Sequence, residues 1–269
     1  MLHLKTVKTI KSELLNLKDK KIALIATMGA LHQGHLALIK KAKQIADFVI
    51  VSIFINPLQF SPNEDLNKYP KTLENDLELC AKEKANLVFS PSAEEIYPQG
   101  QNITKIIADS KLSNCLCGIS RPQLFNGVLT IVLKLFNIIK PDIACFGEKD
   151  YQQLLIIKKM IFDLNLDIEI YPVEIIRDLD GLALSSRNKY LTKEQRLEAL
   201  KIPKTLLTAK DLIQKGQNPE EVIKNLWDPC FEYFEARNPE TLKKTNDFPL
   251  RLFICGHIGN TRLIDNVEI

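Results

Sequence analysis

Several marks that assign a protein to a class are missing from this chain of 269 residues. No apolar run approaches the roughly 20 residues of a membrane-spanning helix. The first segment carries lysines but no apolar leader core, so no secretory signal is expected. The six cysteines contain no C-x-x-C pair. Cys115 and Cys117 stand two apart, and Cys80, Cys145, Cys230 and Cys255 are scattered, which excludes zinc-ribbon spacing and gives no disulfide framework. Cys145 and Cys255 lie in apolar runs and read as small core residues. Reduced thiols in a cytoplasm are the expectation. Charge of one sign is also scarce: 36 basic against 33 acidic residues leave a net +3. That excess is too small for a dedicated nucleic-acid binder. The lysines around Lys18–Lys21 and Lys40–Lys43 read as solvated faces. Internal repeats and low-complexity tracts are absent. So are the dinucleotide fingerprint G-x-G-x-x-G and the P-loop ending in Gly-Lys-Ser/Thr.

What is present is a core. Hydrophobic residues make up 45% of the chain, enough for one large domain or a main domain with a smaller companion. Val7, Ile10, Leu14 and Leu17 mark a helix over 7–17. Ile22–Ala26 reads as a buried strand, followed by a helix starting near Gly34. Phe48–Ile55 is apolar and β-branched throughout, as a strand covered on both faces must be, and Asn56-Pro57 stops it. Residues 62–70 read as a polar loop. Further helices are expected over 72–84, 128–139 and 150–164, and strands over 86–89, 143–146 and 168–176. Alternating strands and helices predict a parallel sheet with crossover helices. The βα units are too few for an eightfold barrel, which leaves a Rossmann-like doubly wound sheet. From about residue 180 the pattern changes. One long helix is predicted over 193–215, another over 219–227, and short strands over 231–236, 251–255 and 261–267. The expected organisation is a main domain over 1–180 and a smaller α+β domain over 181–269.

Four polar clusters follow predicted strands. The first, Thr27-Met28-Gly29-Ala30-Leu31-His32-Gln33-Gly34-His35, sits where a strand becomes a helix. Backbone N–H groups and the helix dipole there favour phosphate, and its H-x-G-H letters occur in nucleotidyltransferases and class I aminoacyl-tRNA synthetases. The second, Asn56-Pro57-Leu58-Gln59-Phe60, offers amide donors and acceptors on a loop stiffened by proline. In the third, Gly147-Glu148-Lys149-Asp150-Tyr151-Gln152-Gln153, Gly147 allows close backbone approach and Lys149 is a point charge suited to phosphate. Asp150 could cap the next helix or hold a ribose hydroxyl, and Gln153 would lie one turn inside that helix. The fourth, Ser185-Ser186-Arg187-Asn188, combines two hydroxyls and a guanidinium as a phosphate clamp would. In an open α/β sheet, ligands bind at the carboxyl ends of the strands. All four clusters belong to that edge.

These segments together, with Gly127-Val128-Leu129-Thr130, the Glu64-Asp65-Leu66 and Tyr69-Pro70 elements, and Thr261-Arg262-Leu263-Ile264-Asp265-Asn266, resemble the pantoate–β-alanine ligase (pantothenate synthetase) family over essentially the whole chain. The resemblance implies a Rossmann-like ATP-binding domain, a C-terminal lid and a homodimer. It also implies Mg²⁺ and a reaction in two steps. Pantoate's carboxylate attacks the α-phosphate of ATP to give pantoyl adenylate and pyrophosphate, and β-alanine then displaces AMP. By motif position, His32, His35 and Lys149 are the catalytic candidates. ATP would be held by Met28, His32, His35, Gly147, Lys149, Asp150, Ile176, Ser185, Ser186 and Arg187. Pantoate would be held by Gln59, Gln153, Met28, Phe54 and Asn56. Tyr69 and Arg121 match positions near the active site.

Two departures from the family pattern stand out. Arg121-Pro122-Gln123-Leu124-Phe125 has leucine where the family commonly has histidine. Asn75-Asp76 stands for an acidic pair, leaving Asp76 as the candidate metal ligand. Acyl adenylation needs no protein nucleophile, only alignment and charge neutralisation. Two other readings fit the H-x-G-H letters. One is an adenylyltransferase for a phosphorylated acceptor, against which the neutral Gln59 and Gln153 speak. The other is a non-catalytic RNA-binding module, against which the mild charge speaks.

Overall fold

Strand β2 (Ile22–Thr27) shows why the sheet must be covered on both sides. Ala23 and Ile25 pack in one layer with Leu36, Ile39, Val49 and Val51. Leu24 packs in the other, with Ile50, Leu87, Val128 and Leu135. Side chains alternate across a strand, so an apolar run such as Ile22-Ala23-Leu24-Ile25 belongs only where both faces are buried. The computed structural model describes residues 1–61 and 66–269. Glu64 and Asp65, named above in a family element, lie outside the described residues.

Around β2 stand β1 (Leu2–Leu4), β3 (Phe48–Ile53), β4 (Leu87–Phe89), β5 (Ile143–Gly147) and β6 (Glu169–Val173). They form one parallel sheet of order β1-β4-β3-β2-β5-β6. The chain moves one way from β2 to β3 and the other way from β2 to β5. The switch point therefore lies between β2 and β5, where open α/β sheets bind ligands. A second, antiparallel sheet joins β7 (Phe231–Arg237), β8 (Arg251–Ile258) and β9 (Thr261–Glu268) in that order. One set of its side chains, including Tyr233, Phe253 and Cys255, adds to the core of the parallel sheet. The other, including Phe234, Leu252 and Ile254, makes a separate core with Ile202, Leu206 and Val222. The expected α/β class is what the chain adopts.

Three local expectations change. The long helix over 193–215 is two helices, Lys193–Ala199 and Lys201–Gln214. Pro203 has no N–H to return to the Ala199 carbonyl, so the hydrogen-bond ladder breaks one turn before it. The helix expected over 128–139 begins earlier, at Leu124. Strand β1 and the four-residue helices Ala93–Ile96, Ser110–Ser113 and Cys117–Ser120 were not expected. They are too short to carry a period.

Candidate active site

The turn after β2 is built before any side chain reaches a ligand. Gly29 and Ala30 both have positive φ, 82° and 51°. Left-handed backbone is easy for glycine and costly for alanine, so something must hold Ala30 there. Asp76 does: its carboxylate accepts the N–H groups of Ala30 at 2.9 Å and Leu31 at 2.8 Å, and the Thr72 hydroxyl at 3.1 Å. Asp76 is 1% exposed and does not line the cleft. Its oxygens thus hold the turn, a task its reading as a metal ligand did not include.

The two histidines of H-x-G-H cap the helix that follows, Gln33–Ile45. His32 is the N-cap residue, and its Nδ1 accepts the Gly34 N–H at 3.1 Å. The His32 N–H reaches back toward His35 Nδ1 at 3.4 Å. An accepting Nδ1 carries no proton, so the neutral ring holds its proton on Nε2. Gly34 is needed for this approach, since a Cβ there would stand 2.9 Å from the His32 ring. Burial, and then the Lys149 ammonium, push His32 down to about 4. Burial first, and then His32 and Lys149, hold His35 well below the ordinary imidazole range. At neutral pH both rings are therefore uncharged N–H donors.

After β3, Asn56 is 1% exposed and fully committed. Its Oδ1 accepts the Leu58 N–H (3.3 Å) and the Tyr97 hydroxyl (2.7 Å), and its Nδ2 donates to the Gly127 carbonyl (3.1 Å) and Gln59 Oε1 (3.0 Å). It lines the cleft but has no group left for a substrate, so its expected role as a direct pantoate contact becomes that of a support. The backbone partners admit one orientation of the Asn56 amide, and that amide takes up Gln59 Oε1. Gln59 Nε2 is therefore on the other side and donates to Met28 Sδ at 3.0 Å. The segment lies so close to the helix Leu124–Ile139 that a Cβ on Gly127 would fall 2.2 Å from the Leu58 carbonyl oxygen.

After β5 comes a tight turn, Glu148–Asp150. Lys149 is partly exposed to the cleft, 3.8 Å from Asp150. Asp150 stands at the N-cap position of the next helix, as expected, but its side chain makes no capping hydrogen bond, and its exposed carboxylate faces Lys149. In front of Gly147 there is open space. Gln153 lines the cleft and has no hydrogen-bond partner among the described residues. Its neighbour Gln152 is buried, with its amide donating to the carbonyls of Leu112 and Cys115. Ser185 caps the short helical turn Ser186–Tyr190 through the Arg187 N–H, and Ser186 donates to the Ala30 carbonyl at 3.3 Å.

Met28, His32, His35, Phe54, Asn56, Gln59, Gly147, Lys149, Asp150, Gln153, Ile176, Ser185, Ser186 and Arg187 thus line one cleft, with Tyr69 and Arg121. Asp76 alone of the proposed residues stands behind it. The sequence reading missed Tyr97, 41 residues from Asn56, whose hydroxyl donates to Asn56 from behind the cleft. It quoted Asp265 and Asn266 in a motif without giving them a task. Their signal was two polar residues set between the apolar Ile264 and Val267.

Among the described residues, the carboxylates that line the cleft are Asp150 beside Lys149, exposed Glu174, and Asp265 paired with Arg177. Among the described residues, one grouping could offer three metal donors: Glu232, Cys255 and His257. There both Glu232 oxygens are already bound to the Arg262 guanidinium, at 2.8 and 3.0 Å.

A profile of the pantoate–β-alanine ligase family matches residues 2–268. Pantothenate synthetase of Thermosipho africanus is 46% identical, covering 98% of this chain and 97% of its own. That of Azotobacter vinelandii is 45% identical, covering 100% and 99%. Among solved structures, pantothenate synthetase of Thermus thermophilus superposes with a TM-score of 0.93 at 38% identity, covering 100% of this chain and 99% of its own. Pantoate–β-alanine ligase of Francisella tularensis, complexed with β,γ-ATP and β-alanine, gives 0.84 at 38% identity, covering 100% and 97%. The chain belongs to the pantoate–β-alanine ligase family.

Proposed function

We propose, on the premise of that family membership, that this chain joins pantoate to β-alanine at the expense of ATP, through a pantoyl adenylate. The observation that carries the reading is the convergence of His32, His35, Lys149 and Arg187 on one cleft at the switch point of the sheet. The Francisella tularensis relative's complex with β,γ-ATP and β-alanine supports ATP and the amine as ligands.

In the first step an oxygen of pantoate's carboxylate attacks the α-phosphorus, and the bond to the pyrophosphate oxygen breaks. The chain supplies no nucleophile. It supplies alignment and a fixed set of donors for the charge that builds at phosphorus. His32 and His35 give neutral N–H donors from Nε2, beside the positive end of the helix Gln33–Ile45. Lys149 gives a full positive charge, and Ser185, Ser186 and Arg187 close the β- and γ-phosphate side. Because these histidines are uncharged, the cationic weight falls on Lys149 and Arg187.

Gln59, whose NH₂ keeps a second N–H beyond its bond to Met28 Sδ, suits the oxygens of pantoate, and Gln153 offers a second amide. Met28 and Phe54 wall the dimethyl group. Magnesium would enter as Mg·ATP, bound chiefly by phosphates. In the second step the free amine of β-alanine attacks the acyl carbon and AMP leaves with the bridging oxygen. The adenylate is a mixed anhydride sensitive to water, which favours a covered site. Residues from about 181 onward are read as the domain that covers it, and a homodimer as the working assembly.

The test is exchange of labelled pyrophosphate into ATP. Exchange that requires pantoate and no β-alanine is expected. No exchange with pantoate, or exchange with a phosphorylated acceptor in its place, would overturn the reading.

A further inference from the structure

Asp265 and Asn266 are neighbours on β9, 3% and 2% exposed, at the wall of the cleft. Successive strand residues point to opposite faces, so the two reach different partners. Asn266 Oδ1 accepts from Arg251 Nη1 at 2.6 Å. An arginine can only donate, which fixes the amide and leaves Nδ2 for the other side. There it donates to two consecutive carbonyls, Glu148 at 2.9 Å and Lys149 at 3.1 Å. These belong to the turn that carries the Lys149 ammonium. Arg251 is itself buried and packed 3.9 Å over the Tyr151 ring, so the anchor behind Asn266 is rigid.

Asp265 faces Arg177. The two form a forked pair, Nη1 to Oδ2 at 2.6 Å and Nη2 to Oδ1 at 2.9 Å. Arg177 Nη1 also donates to the Gly181 carbonyl at 3.1 Å, and Arg177 bridges Ala183 across the same hairpin. The Leu184 N–H closes on the Ile176 carbonyl. This hairpin delivers Ser185, Ser186 and Arg187 to the cleft. The Asn266 backbone N–H donates to Asp265 Oδ1 at 2.8 Å, which fixes the Asp265 carboxylate to the strand at the residue that carries the other partner.

We propose that Asp265 and Asn266 are a positioning pair, through which β9 holds the Lys149 turn and the 176–187 hairpin in one register around the nucleotide. The proposal rests on the reading of the cleft as an ATP site. It makes the C-terminal sheet part of the nucleotide machinery. Neither residue touches the reacting atoms, and both act through Lys149 and the hairpin. Nucleotide binding and the seating of β9 are then thermodynamically linked, each strengthening the other.

Calorimetric titration of the full chain with a non-hydrolysable ATP analogue, and separately with pantoate, tests this. Asn266→Asp keeps the shape and the bond to Arg251 but turns an oxygen toward two carbonyls. It should weaken the analogue about tenfold or more and leave pantoate within about twofold. Combined with Lys149→Ala, it should weaken the analogue no further than Lys149→Ala alone, because interacting residues are not additive. Unchanged analogue affinity in Asn266→Asp, equal weakening of both ligands, or fully additive losses would each overturn the pair. Should Asn266→Asp not fold, Arg177→Lys serves. It keeps the charge against Asp265 but loses the fork, and full analogue affinity there would overturn the pair equally. A wild-type chain that binds no analogue would overturn the ATP reading first, and the pair with it.

Discussion

His32 concentrates the account at the scale of a residue. It caps a helix and lines the cleft with the same ring, and burial holds it near 4 against an ordinary 6.5. The folded chain therefore binds fewer protons than the unfolded chain between those two values. Stability from this group is fully present above pH 6.5 and is lost as pH falls toward 4. The loss amounts to at most roughly 3 kcal/mol. His32→Asn keeps an accepting cap and removes the titration. Urea unfolding from pH 7 to 4 should show a shallower decline in the variant, and identical slopes would contradict the assignment. Lys149 differs, since it carries charge rather than shape. Lys149→Ala should lower the rate of pyrophosphate exchange roughly 10²–10³-fold, by analogy with removal of one oxyanion donor. Near-normal exchange in the purified variant would remove Lys149 from the site.

At the scale of an element, the turn after β2 matters most. Its residues were legible in the sequence because the apolar run Ile22–Ala26 ends at His32-Gln33-Gly34-His35, a strand running into a helix start. What holds the turn was not legible. Asp76 lies 46 residues from Ala30 and reaches it only after β3 and a helix have been laid alongside. Pattern and spacing report neighbours along an element, and carry no sign of a carboxylate packed under a distant loop. The same limit hid Tyr97 behind Asn56, and Asp265 with Asn266 behind the Lys149 turn and the Arg177 hairpin. Asp76→Asn puts an N–H₂ against at least one backbone N–H. It should cost about 1–3 kcal/mol in unfolding free energy and raise the KM for ATP. The magnesium concentration for half-maximal rate should stay where it is. A selective shift in that magnesium requirement, with stability unchanged, would mark Asp76 as a metal ligand.

At the scale of the whole molecule, strand order does the assembling. β2 and β5 are adjacent in the sheet yet about 120 residues apart in the chain, as the Ile22 N–H bond to Asp142 illustrates. Clusters separate in sequence therefore meet at one edge. That meeting could be anticipated because alternating strands and helices permit few topologies, and the ligand edge of such sheets is fixed. The helix break before Pro203 and the short helices between Ala93 and Ser120 could not be anticipated so firmly. They are local outcomes that no periodicity announces. The central claim is that pantoate's carboxylate attacks the α-phosphorus in this cleft. It is tested most directly with pantoate labelled with ¹⁸O in the carboxylate, by mass spectrometry of the AMP formed once β-alanine is added. The account predicts one labelled oxygen in each AMP. AMP without the label would contradict it.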